Sequence, residues 1–113
     1  MCSQQQLNQI MTQLIQKANN LFGESISEVI LFGSYARNDA DDGSDVDVMV
    51  LLDLPREKIP LYRRQLAEIA GDLLFDYGVV VSPLMENKAF FDRNRGMYPF
   101  FRNIDQEGIR YVA

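Results

Sequence analysis

Histidine is absent from this sequence of 113 residues, and cysteine occurs only once. Without an imidazole, the chain cannot build a Ser-His triad, a histidine general base or a histidine-ligated metal site. A proton acceptor has to be a carboxylate, a lysine, a phenol or water. Cys2, the single cysteine, has no internal disulfide partner and lacks the neighbouring ligands that a zinc site needs. We therefore expect a reduced, cytoplasmic setting.

Basic residues are in the minority, with 11 lysines and arginines against 16 aspartates and glutamates and a net charge of −5. This balance argues against the broad basic face that sequence-independent binding of nucleic acid needs. Nucleic-acid polymerisation or tailing is therefore the least favoured function. Long apolar runs are also missing, and the polar stretch 1–6 does not resemble a signal peptide, so we expect no membrane association.

An apolar content of 47% predicts a single domain over residues 1–113, with room for one core. The hydrophobic spacing predicts an amphipathic helix that starts after Ser3 and closes at Gly23, and a second one that ends at Gly78. Strands are predicted at 29–32, 46–52, 79–81 and 109–112. The order α-β-α-β-α-β-α predicts an α/β (α+β) fold, in which helices flank a small mixed sheet.

The most informative pattern is a Gly-Ser turn followed, ten residues later, by two aspartates on the next strand. Gly33 and Ser34 follow an apolar strand, and Asp45 and Asp47 stand two residues apart. Side chains two apart on a strand point to the same face, so both carboxylates can reach one hard cation. A Gly-Ser turn that enters a helical turn offers backbone N–H groups to a phosphate. Either feature alone is weak, but together they predict a metal-nucleotide site.

These residues resemble the minimal nucleotidyltransferases of the DNA polymerase β-like superfamily, and the resemblance covers most of the chain. It implies that Gly33 and Ser34 hold the triphosphate of ATP. It also implies that Asp45 and Asp47 are the catalytic carboxylates and bind two Mg²⁺ ions. Arg37 would offset charge beside the phosphates. The implied reaction transfers a nucleoside monophosphate, AMP from ATP, to a hydroxyl group.

The resemblance also implies a partner. Minimal members of this family are often the antitoxin half of a prokaryotic pair, in which the other half is an all-helical HEPN ribonuclease. A tyrosine of such a HEPN protein would be the acceptor hydroxyl. The sequence leaves open whether the chain forms homo- or hetero-oligomers.

One departure from the family keeps a second function open. Active members carry a third carboxylate on the strand after the second helix, whereas that strand here leads into Ser82. Asp76 precedes the strand and is interpreted as an exposed helix residue, and Glu86 follows it and is interpreted as a loop acid. The alternative is a catalytically impaired module that neutralises its partner by docking, with the aromatic residues of 90–101 as an apolar patch.

Overall fold

The computed structural model describes residues 2–111 and contains a four-stranded sheet flanked by helices. The α-helices are α1 (Gln4–Phe22), α2 (Ser34–Arg37), α3 (Arg63–Tyr77), α4 (Lys88–Asn94) and α5 (Pro99–Glu107). The strands are β1 (Ile26–Phe32), β2 (Val46–Leu52), β3 (Val81–Asn87) and β4 (Ile109–Tyr111). Short 3₁₀ segments lie at Gly23–Ser25 and Arg56–Tyr62. Within residues 2–111, no helix has both the length and the apolar character needed to cross a membrane.

Helix α1 begins and ends where its sequence signals predict. The Ser3 hydroxyl accepts a hydrogen bond from the backbone N–H of Gln6 at 3.1 Å, which satisfies one of the free donors of the first turn. Gly23 ends the helix with a φ of 58°, a conformation that residues with a Cβ rarely adopt.

The sheet is mixed, with strand order β3-β2-β1-β4. Strand β2 runs antiparallel to β1 and parallel to β3, and β4 runs antiparallel to β1. Alternate residues of β1 and β2 point to opposite faces, and each face has its own apolar cluster. Helices α1 and α3 cover the first face. Helices α4 and α5 cover part of the second, where Phe91, Phe101 and Ile104 pack on Met49 and Leu51.

The third strand differs from its prediction. It spans Val81–Asn87 instead of 79–81, so it begins at the third valine and continues through Pro83. Val46 donates to the carbonyl of Val80 at 2.9 Å, and alternate residues of a parallel strand bond to the same neighbour. Pro83 therefore turns its nitrogen away from β2, toward the open edge, which is where a strand tolerates proline. Two smaller differences concern β1, which begins at Ile26, and the last strand, whose predicted end at 112 lies outside the described residues.

Candidate functional site

Gly33 lies at the end of β1, directly against the carboxylate of Asp47. Its φ of 76° belongs to the left-handed region, and its carbonyl accepts from the N–H groups of Ala36 and Arg37, both at 3.1 Å, to start α2. A Cβ at this position would overlap Oδ2 of Asp47 and lie 3.2 Å from its Cγ. Glycine is thus needed twice, for the turn and for the close approach of the acid.

Asp45 and Asp47 lie at the start of β2, near enough for their charges to interact. Asp45 is exposed just before the strand, and Asp47 is partly buried within it, paired in register with Phe32. Burial raises the pKa of Asp47, the neighbouring charge of Asp45 raises it further, and Arg37 lowers it. The two carboxylates therefore repel one another. A cation bound between them would relieve this repulsion and stabilise the charged form of both.

Ser82 stands beside this pair on β3. It is in register with Asp47, and its hydroxyl donates to Oδ2 of Asp45 at 3.2 Å. Residues in register lie on the same face of a sheet, so Ser82 lies on the same face as Asp47. It occupies the region where the resemblance implies a third carboxylate.

Neither acid near β3 supplies that carboxylate. Glu86 is a buried residue of β3, in register with Leu51, so the interpretation as a loop acid is wrong. Both of its oxygens accept from Arg56, at 3.0 and 3.1 Å, and the Arg56 guanidinium lies 3.5 Å from the centre of the Phe90 ring. Asp76 is exposed on α3, as interpreted, on the helix that covers the opposite face. Within residues 2–111, no three acids or cysteines are grouped to hold a metal.

Two acids of the loop before β2 have local structural roles. The Asp41 carboxylate accepts from the N–H of Gly43 at 2.9 Å and from the hydroxyl of Ser44 at 3.2 Å, which closes a turn. Asp39 pairs with Arg37 at 3.2 Å. The acidic density of this loop therefore reflects turn formation and ion pairing as well as the Asp45–Asp47 pair.

The structure brings four of the five predicted site residues into one cavity of about 310 Å³. These are Gly33, Ser34, Arg37 and Asp47. The fifth, Asp45, lines a second cavity of about 320 Å³, which Tyr35 and Tyr77 also line. The two aspartates therefore line different cavities, although their charges interact.

Helix α5 supplies wall residues that the motif alone did not indicate. Phe100, Asn103, Ile104 and Glu107 line the cavity of Asp47, spaced at i, i+3, i+4 and i+7. This spacing defines one helix face and is visible in the sequence. What the sequence does not reveal is that this face meets the Gly-Ser turn. Glu107 pairs with Arg37 at 3.4 Å across the cavity mouth.

Most of the aromatic segment 90–101 belongs to the core instead of to a docking patch. Phe91 and Phe101 are buried, and Phe90 packs on them in part. The most exposed large apolar side chains include Phe75, on α3, which is 90% exposed.

Comparison with known proteins gives consistent matches. A family model described as "Nucleotidyltransferase domain" matches residues 11–112. Among curated proteins, "Putative protein adenylyltransferase MJ1305" of Methanocaldococcus jannaschii is 38% identical over 80 residues, 70% of this chain and 54% of the relative. MJ0604 and MJ0141 of the same organism carry the same description. They are each 32% identical, over 74% and 71% of this chain and 75% and 79% of their own lengths. The chain thus spans about half of the first relative and at least three quarters of the other two.

Proposed function

This chain belongs to the nucleotidyltransferase domain family, and from that premise we propose that it transfers AMP from ATP to a hydroxyl group of a partner protein. The observation that carries the proposal is the contact between the Gly33 turn and the Asp47 carboxylate in one cavity. It supports the proposal because N–H groups of this turn would meet a phosphate beside acids that repel one another unless a cation lies between them.

The proposed reaction is an in-line displacement at the α-phosphorus of ATP. The acceptor oxygen forms a bond to that phosphorus, the bond from the phosphorus to the bridging oxygen of the β-phosphate breaks, and pyrophosphate leaves. Gly33 and Ser34 would hold the outer phosphates, and Arg37 would exchange its carboxylate partners for phosphate oxygens. Because Ser82 is not a base, the proton of the acceptor would pass to water or to an aspartate.

The donor set fits Mg²⁺. This cation is usually held by one or two carboxylates and by the phosphates of its substrate, and not by a cage made wholly of protein. Asp45, just before β2, and Asp47, within it, would supply those two carboxylates. Bound there, Mg²⁺ would supply charge stabilisation to the phosphates and would lower the pKa of the attacking hydroxyl.

Two parts of the proposal concern the donor and the acceptor. The relatives are described as protein adenylyltransferases, which supports ATP as donor and a protein as acceptor. The resemblance to minimal nucleotidyltransferases supports a tyrosine of a HEPN-type protein as the modified group and an antitoxin role for this chain.

The test is a transfer assay with the co-expressed neighbouring protein, Mg²⁺ and ATP labelled at the α-phosphate. We expect label on the partner, and a loss of at least about a hundredfold with Asp45→Asn or Asp47→Asn, because these changes remove the charge that binds the cation. Asp76→Asn is the matched control, since this exposed acid makes no hydrogen bond or ion pair with a described residue. Label that persists in both site variants would refute the assigned roles.

A second function is favoured by one observation, the hydroxyl of Ser82 beside Asp47 where a third carboxylate is expected. With two acids only, the chain would neutralise its partner by binding it, without turnover. A stable complex that survives both aspartate substitutions, without any label transfer, would select this function. Label transfer that depends on both aspartates would reject it.

A further inference from the structure

We propose that the face of α5 formed by Phe100 and Asn103 is a binding subsite for the adenine base. This inference rests on the proposed function and extends it, because it concerns which part of the nucleotide meets α5. It assigns roles to residues that lie outside the Gly-Ser and Asp-x-Asp motifs.

Phe100 is an exposed aromatic ring at the edge of the cavity. It is 49% exposed, whereas Phe101, its neighbour in sequence, is buried in the core. The Phe100 ring packs against the Phe32 ring in a T-shaped arrangement, with 5.7 Å between the ring centroids. One ring is thus held in place by another while about half of its surface remains accessible, which is the arrangement that stacking of a base requires.

Asn103 follows one turn later on the same face and lines the same cavity. It is exposed, and its amide makes no hydrogen bond with any of residues 2–111. An asparagine amide carries one acceptor and two donors, and it matches the N6 amine and N7 of adenine in a bidentate pair. Its position beside Phe100 would let one base stack and pair at once.

The polarity of the cavity sets the direction of the nucleotide. Backbone donors and the Arg37 guanidinium lie at the α2 side, whereas Phe32 and Phe100 provide apolar surface. Because the triphosphate is anionic and carries the cation, it would lie by the donors and by Asp45 and Asp47. The base would then lie on the apolar side of the cavity. A cavity of about 310 Å³, open to solvent, is adequate for a nucleotide whose triphosphate lies partly outside it.

The test compares Mg·ATP with Mg·tripolyphosphate, which shares the phosphates and lacks the base, in calorimetric titrations. Phe100→Ala is expected to weaken ATP binding roughly tenfold, the loss typical of one stacked base, and to leave tripolyphosphate binding unchanged. Phe100→Tyr, which keeps an aromatic ring, should bind ATP with the wild-type affinity. Asn103→Ala, a change in an exposed side chain, should lower the preference for ATP over GTP. Phe75→Ala on α3 is the matched control and should leave both ligands unaffected.

The outcomes separate this inference from the function on which it rests. If wild-type protein binds neither ligand, the proposed function fails, and the subsite fails with it. If both ligands bind and Phe100→Ala leaves ATP affinity intact, the subsite alone is refuted. Equal weakening of both ligands by Phe100→Ala also refutes it, because the ring would then support the phosphate site and not a base. A Phe100→Ala effect confined to the protein acceptor would assign the ring to the acceptor instead.

Discussion

At the scale of single residues, Asp47 carries its charge where the fold disfavours it. The carboxylate is partly buried, lies against the backbone of Gly33 and interacts with the charge of Asp45. Among residues 2–111, the charge that opposes these effects is that of Arg37. Functional sites often retain such unfavourable groups because a ligand compensates them. The charged Asp47 carboxylate should therefore lower the free energy of unfolding when no ligand is bound.

Asp47→Asn is expected to raise the melting temperature at neutral pH in the absence of divalent cations. The folded protein raises the pKa of Asp47 above its unfolded value of about 3.9. The folded state then binds the proton more tightly, so stability falls as pH rises through the window between the two pKa values. The increase in melting temperature of Asp47→Asn over wild type should reach its full size above the raised pKa and should vanish below about pH 4.

Thermal unfolding from pH 3.5 to 8, in the presence of a chelator, measures this dependence. Asp76→Asn, which removes an exposed charge from α3, provides the control and should follow the wild-type curve. A site variant that is less stable than wild type across this range would show that Asp47 has a stabilising contact that the structure does not reveal.

At the scale of elements, β3 decides how much of the site the sequence can predict. Strand β2 was predicted with its observed bounds because the apolar run 48–52 is buried on both faces. Strand β3 lies at the edge of the sheet and contains Ser82, Pro83 and Glu86, so its hydrophobic signal is interrupted and its bounds were misplaced. The partner of Glu86, Arg56, lies 30 residues away and could not be inferred from local pattern.

The candidate site likewise combines a part that local sequence predicts with a part that depends on tertiary packing. The contact between Gly33 and Asp47 follows from the chain order, because the turn ends β1 and Asp47 lies on the adjacent strand β2. The position of the α5 face does not, because its meeting with the turn depends on tertiary packing over β1.

Ser82→Asp is expected to add a third carboxylate beside the aspartate pair and to tighten binding of Mn²⁺ roughly tenfold, since affinity for hard cations follows the charge of their ligands. The position is in register with Asp47, and its side chain already reaches Asp45. Mn²⁺ binding followed by electron paramagnetic resonance measures the change. Without metal, the variant should be less stable because three acids would face one another.

The matched control is Ser27→Asp, an exposed serine near the other end of β1. It introduces the same charge away from the site and should leave Mn²⁺ affinity unaltered. If Ser82→Asp binds Mn²⁺ no better than this control, Ser82 does not face the metal position.

At the scale of the whole molecule, the site joins elements from both halves of the chain. The cavity of Asp47 is bounded by the end of β1, by α2, by β2 and by α5, so a ligand there links segments that are otherwise connected through the sheet. A ligand that binds only this assembled form stabilises the entire fold.

Mg·ATP is accordingly expected to raise the melting temperature. At a ligand concentration a hundred times the dissociation constant, the gain is about 2.7 kcal/mol, or roughly 10 °C for a domain of this size. Differential scanning fluorimetry with ATP in the presence of Mg²⁺ or of a chelator checks the dependence on metal. An equal shift under both conditions would indicate that ATP binds without the cation, and a shift that persists in Asp47→Asn would place it at another site.

Pro83 has a consequence for how this protein meets other chains. An edge strand normally offers free backbone groups that recruit a foreign strand, and repeated recruitment leads to fibres. At β3 the outward-facing Pro83 has no N–H to offer, so a regular ladder along this edge would be interrupted at that residue. Association at this edge therefore depends in part on side chains. Its strength and its choice of partner can therefore change one substitution at a time, while the sheet that holds the aspartates stays the same.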